Sequence, residues 1–318
     1  MFLMKYPGSF RKSLLFSVIL MLISFCGISQ AMPKEPFDNS GSIVARQTFL
    51  HFREWKPDTV RHSAICLLIH GFSGSTFSWR YTAPALAASG YRVVAVDVPP
   101  FGFSDRNPKL NASVTARAAV ISQFMELYSS EAEWYIVGHS MGGGIAQALA
   151  LMYPDKVKGL CFVAGALFSS VKKTEASSFW LLRFKPVAGL LVALSEEYFI
   201  TPGRIKKLLF SAYQRLPEED EVQGYLIPLM QSGTSKALIG SVARSFEIAD
   251  VEAHPIKIPL LAIWGDKDSW VPLEYSSEVL RIMNIGNIRI IADAGHCPME
   301  THPDEFNALL LEYLEQLP

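Results

Sequence analysis

Hydrophobic residues along this chain gather in short unbroken blocks, separated by stretches with helical spacing. Ala64–Ile69 is a run of strand length, followed by a helical pattern over Trp79–Ser89 and a second strand-like run at Tyr91–Asp97. The rhythm repeats as helix Ala112–Tyr128, strand Trp134–Val137, helix Gly142–Tyr153 and strand Val157–Val163. It resumes later as strand Ile258–Trp264, helix Leu273–Met283, strand Ile288–Ala292 and helix Pro303–Leu314. Runs without polar alternation predict strands covered on both faces, and their interleaving with helices predicts an α/β domain with a mainly parallel central sheet. Ser42–Trp55 comes first and has no crossover helix, so it predicts an antiparallel hairpin at the sheet edge.

Two segments break the rhythm. Residues 167–253 are helical in texture, with an apolar stretch Phe179–Leu194 interrupted by Pro186 and an acidic cluster Glu218–Glu221. They fall between two strands of one sheet, which predicts a helical cap inserted into a core made of residues 42–166 and 254–318. The other break is at the N-terminus, where Lys5, Arg11 and Lys12 precede the apolar run Leu14–Ile28, and Ser29-Gln30-Ala31 follows with small residues at its ends. That order predicts a signal peptide over residues 1–31 and an exported protein; stretched from Ser13 to Ala31, the same run reads as a membrane anchor.

Composition narrows the function classes. The 318 residues are 50% hydrophobic and 19% charged, with a formal net charge of −1. No basic run lies beyond the N-terminal segment, so nothing points to a nucleic-acid partner, and membrane contact is expected only through residues 13–31 if they are retained. There is no metal-type spacing of Cys and His. Of the four cysteines, Cys26 lies in the leader, and Cys66 and Cys161 sit in strand-like runs, where a thiol behaves as a small buried hydrophobe.

The chemistry concentrates at three places. Gly138-His139-Ser140-Met141-Gly142 joins a strand to a helix in the G-x-S-x-G pattern, a tight turn that lifts a serine hydroxyl above a sheet. Gly265-Asp266-Lys267-Asp268 follows a later strand, and Asp268, just before the helix that Pro272 opens, is the better-placed acid, with Asp266 assigned to shaping the turn. His296 follows the last strand, 28 residues beyond Asp268. The other histidines lack that setting: His51, His62 and His254 precede or flank strands, His139 is inside the elbow, and His302 starts a helix. Ser140, Asp268 and His296 are therefore the candidate nucleophile, orienting acid and general base.

These residues, with Asp97-Val98-Pro99-Pro100-Phe101-Gly102-Phe103-Ser104, resemble the α/β-hydrolase superfamily, and within it the cap-bearing serine hydrolases. Pro100 stands where that loop usually has glycine. The resemblance covers residues 43–318 and implies the α/β-hydrolase fold with the chain order serine, acid, histidine. It also implies an oxyanion hole from the backbone N–H groups of Phe72, in His70-Gly71-Phe72, and of Met141. Related epoxide hydrolases and dehalogenases attack with aspartate, and Ser140 argues against both chemistries. The expectation is cofactor-free and metal-free hydrolysis of a small to medium apolar carboxylic ester through an acyl-enzyme. The alternatives are C–C bond hydrolysis of the dienoate-cleaving kind and a non-catalytic ligand-binding member of the fold. Substrate identity and oligomeric state stay open.

Overall fold

The computed structural model describes residues 36–173 and 200–317. In chain order its elements are β1 (Ser40–Ala45), β2 (Thr48–Trp55), β3 (Ile65–Ile69), α1 (Thr82–Ala88), β4 (Arg92–Val96), α2 (Val114–Tyr128), β5 (Trp134–His139), α3 (Met141–Met152), β6 (Val157–Val163) and β7 (Ser170–Val171). Then follow α4 (Pro202–Tyr213), α5 (Glu219–Leu229), α6 (Thr234–Ala243), β8 (Val251–Glu252), β9 (Leu260–Gly265), α7 (Leu273–Ile282), β10 (Ile288–Ile291), α8 (Pro298–Thr301) and α9 (Pro303–Leu314). The signal-peptide or anchor segment and the apolar stretch Phe179–Leu194 lie outside the described residues.

Eight strands form one sheet in the order β1-β2-β4-β3-β5-β6-β9-β10. β1 and β2 pair antiparallel, as do β2 and β4, and every other neighbouring pair is parallel. The edge hairpin turns through Arg46 and Gln47, both at positive φ (48° and 61°), the twist a two-residue hairpin needs. Neither residue is the usual Asn or Gly, so the turn carried no local sequence signal.

The central strands send alternate side chains to two cores. Cys66 and Leu68 enter the cluster on one face, with Trp79, Phe306 and Leu310. Leu67 and Ile69 enter the other, with Ile121, Phe124 and Leu149. Coverage on both faces is why these strands read as continuous apolar runs. β10 is the exception, because it is the sheet edge: Ile288 and Ile290 are exposed.

Helix boundaries shift for identifiable reasons. α1 begins at Thr82 rather than Trp79, because a 3-10 turn over Thr76–Trp79, capped by the Ser75 side chain, comes first. Pro84 then falls in the first turn of α1, where its missing N–H costs nothing. α2 begins at Val114, where Ser113 accepts a hydrogen bond from the Ala116 N–H.

The chain between β6 and β9 contains α4, α5 and α6. Its two ends also form strands, which the helical texture did not suggest. β7 and β8 pair antiparallel, Ser170 opposite Glu252 and Val171 opposite Val251, and the Ala253 N–H donates to Ser169 O at 2.8 Å. Two residues per strand are too few for any periodicity to register.

Candidate active site

Ser140 sits between β5 and α3 with φ 50° and ψ −117°, a region L-residues avoid. Sequence explains why the turn can close so tightly. A side chain at Gly142 would run into the Ile69 and His70 carbonyls, so only glycine lets α3 start this close to β3. The turn is then locked by its backbone: Ser140 N–H donates to Val163 O and the Gly143 and Ala166 N–H groups donate to Ser140 O, each at 2.9 Å. Met141 is the first residue of α3, at the end of the helix where N–H groups lack intrahelical partners.

Asp268 and His296 meet from separate loops at the carboxyl ends of β9 and β10. His296 Nδ1 lies 2.9 Å from Asp268 Oδ2, and both residues are buried. The other carboxylate oxygen, Oδ1, accepts the Trp270 N–H at 2.9 Å and the Val271 N–H at 3.0 Å. With Oδ1 occupied by donors and Oδ2 facing Nδ1, His296 is fixed as the tautomer protonated at Nδ1. Asp266 is exposed. Among the described residues no hydrogen bond joins Ser140 Oγ to His296. His139, the residue before Ser140, lies against His296: its ring centroid is 4.8 Å from that of His296 and its Nε2–H donates to His296 O at 2.9 Å.

Two buried histidines shape the surrounding loops. His70 Nε2 accepts the Val98 N–H at 2.8 Å, so its proton is on Nδ1, which donates to Gly71 O at 2.7 Å. The ring thus braces the loop carrying Phe72, which is exposed and packs edge-on against Phe101 at 5.0 Å. Burial holds His70 below the usual imidazole range. Burial, reinforced by the neighbouring His296, holds His139 well below it. Among the described residues His139 Nδ1 has no hydrogen-bond partner, and a side chain at Gly71 would come within 2.8 Å of it.

A second His–Asp pair fixes the loop after β4. His51 Nδ1 lies 2.7 Å from Asp97 Oδ2, with Ser40 Oγ 2.8 Å from its Nε2. Asp97 also accepts the Thr76 N–H at 2.6 Å and the Phe103 N–H at 2.8 Å. Gly102, at φ +60°, is required because any Cβ would collide with that carboxylate. Burial works to raise the Asp97 pKa, but His51 and these donors outweigh it and hold the carboxyl below its usual range. His51 gave no sequence signal, since its partner is 46 residues away.

These shifts act on stability in one direction. His70 and His139 are depressed, so between the folded and unfolded pKa values the unfolded chain binds more protons. Their contribution is full above the unfolded value of about 6.5 and is lost as pH falls below it. Asp97 adds a further loss at more acidic pH. The unfolding free energy is therefore expected to drop between pH 7.5 and 5.5 in urea titrations; a flat profile would contradict the buried neutral state of these rings.

Known proteins supply the family. The family model described as alpha/beta hydrolase fold matches residues 66–303. The chain is 30% identical over 254 residues to the dihydrolipoyllysine-residue acetyltransferase component of the acetoin cleaving system of Cupriavidus necator, covering 78% of this chain and only 63% of that protein's length. It is 28% identical over 267 residues to the pimeloyl-(acyl-carrier protein) methyl ester esterase of Neisseria meningitidis, covering 83% of this chain and 97% of the relative. A solved serine hydrolase involved in carbazole degradation superposes with a TM-score of 0.67 at 20% identity, over 87% of this chain and 98% of the other, a likeness of fold. This chain belongs to the alpha/beta hydrolase fold family.

Proposed function

We propose that the protein is a serine hydrolase that cleaves carboxylic esters of small to medium apolar substrates through an acyl-enzyme. The observation that carries this reading is the His296–Asp268 pair at 2.9 Å, beside a serine held at φ 50° on the strand–helix turn. Ser140 Oγ attacks the ester carbonyl and gives its proton to His296 Nε2. The developing oxyanion accepts hydrogen bonds from the Phe72 and Met141 backbone N–H groups. The protonated imidazole then passes that proton to the leaving alcohol, and a water, deprotonated by His296, releases the acid. Asp268 keeps its charge throughout and stabilises the imidazolium. Exposed Phe72 gives the surroundings an apolar character that fits an alkyl or aryl acyl group. In this reading residues 167–253 act as a cap over the site, and the N-terminal apolar run directs export.

A panel of p-nitrophenyl esters from two to twelve carbons tests the substrate class. Each methylene buried contributes about 0.8 kcal/mol, so kcat/KM is expected to climb several-fold per added carbon until the pocket is full. A flat profile would remove the apolar pocket, and loss of activity with a chelator would remove the metal-free mechanism. Turnover of a 2-hydroxy-6-oxo dienoate in preference to every ester would favour C–C hydrolysis by the same residues. A chain that fluorophosphonate does not label at Ser140 would be a binding protein.

A further inference from the structure

Trp270 is 38% exposed, too open for burial alone to explain an indole there. One face lies on the imidazole of His296, with ring centroids 5.3 Å apart and planes 27° from parallel. Its backbone N–H donates to Asp268 Oδ1 at 2.9 Å, and its indole Nε1–H donates to Ser211 Oγ at 3.0 Å. Ser211 belongs to the last turn of α4, inside the insertion. The next residue, Ala212, accepts the backbone N–H of His296 at 2.7 Å. The chain segments bearing the acid, the base and the insertion thus converge on one residue, Trp270, through its backbone N–H and its indole.

The geometry has a mechanical reading. The single hydrogen bond from Nδ1 to Asp268 fixes one end of the imidazole but leaves the ring free to swing about that contact. A flat aromatic face against the ring removes the swing, and so fixes the direction in which Nε2 points. The indole can do this only if its own rotation is stopped, which is what Ser211 does. Resting on the reading of His296 as general base, we infer that Trp270 is a positioning residue for that base, and that its indole is held in register by Ser211 of the insertion. The insertion then does more than cover substrate: its α4 is part of the mounting of the base, and displacing α4 disorders the imidazole.

The test uses the full chain with p-nitrophenyl butyrate. Trp270→Ala is expected to lower kcat by about 10- to 100-fold with KM changed by less than about twofold, the signature of a misdirected base. Trp270→Phe, which keeps a ring but lacks the N–H, and Ser211→Ala, which lacks the acceptor, should each lower kcat by about threefold. Because both remove one hydrogen bond, the double variant should lose no more than either single one. A rise in KM at constant kcat would make Trp270 a substrate contact and overturn the inference, as would multiplicative losses in the double variant. If Trp270→Ala fails to fold, the two milder variants carry the test alone. Fluorophosphonate labelling separates the two levels. A wild-type chain that is not labelled at Ser140 refutes the underlying mechanism. Labelling at an undiminished rate in Trp270→Ala refutes the positioning role alone.

Discussion

Ser140→Ala is expected to lower kcat on a simple ester by about 10³-fold or more, with the far-UV circular dichroism spectrum and Tm essentially unchanged. His296→Ala should cost as much, since it removes the acceptor for the Ser140 proton. The more discriminating variant is Asp268→Asn. Its oxygen would keep the Trp270 and Val271 N–H groups, turning the amide NH2 toward His296 Nδ1. Two donors cannot face each other, so the imidazole would move its proton to Nε2, the nitrogen that must accept from Ser140. A loss of about 10³-fold is expected from the wrong tautomer alone. Asp266 is exposed, and Asp266→Asn should stay within about threefold of wild type. The assignment fails if Asp266→Asn proves the more damaging of the two.

The second large effect concerns stability. Glu300, buried in α8 four residues beyond His296, accepts from Tyr213 OH on α4 at 2.7 Å and from Tyr225 OH on α5. Arg80 pairs with Glu300 and reaches Glu221 of α5 at 3.1 Å, while Arg215 closes on Glu221 at 2.7 Å. Burial and the nearby Glu300 carboxylate push the Tyr213 and Tyr225 phenols far up, so both remain donors at any ordinary pH. Glu300→Ala would leave an arginine and two phenols in a dry site without their common acceptor. Arg80 would keep Glu221, so a loss of about 2–4 kcal/mol is expected from the two phenols deprived of their acceptor and the lost half of the arginine's pairing, seen as a Tm lowered by roughly 5–10 °C. Glu300→Gln keeps an acceptor oxygen and should cost less than half as much. A Tm for Glu300→Ala within about 2 °C of wild type would show that this cluster does not hold the insertion to the sheet.

What the sequence made legible was local or periodic. The order of strands and helices followed from apolar runs, because burial on both faces leaves no polar alternation to confuse them. The strained turn at Ser140 was visible in its glycines, which answer to crowding within a few residues. The His51–Asp97 pair, the Glu300 cluster and the stacking of Trp270 on His296 were not visible. Each joins residues separated by tens or hundreds of positions, and a tryptophan or glutamate carries no mark of the partner it will meet. The edge turn at Arg46-Gln47 escaped for the opposite reason: it is local, but its residues are not those such a backbone ordinarily selects.

The short ladder between β7 and β8 has a consequence for how this chain could change over time. It brings the departure and return of nearly eighty residues to adjacent positions, Val171 opposite Val251, beside strands whose register is already set. The entropy of closing a loop grows only with the logarithm of its length, so chain added or removed beyond the ladder costs the sheet little. Segments of different size could be exchanged there as cassettes, provided the newcomer restores a seat for the loop of His296. The ladder is a seam along which new specificities could be grafted while the sheet stays constant.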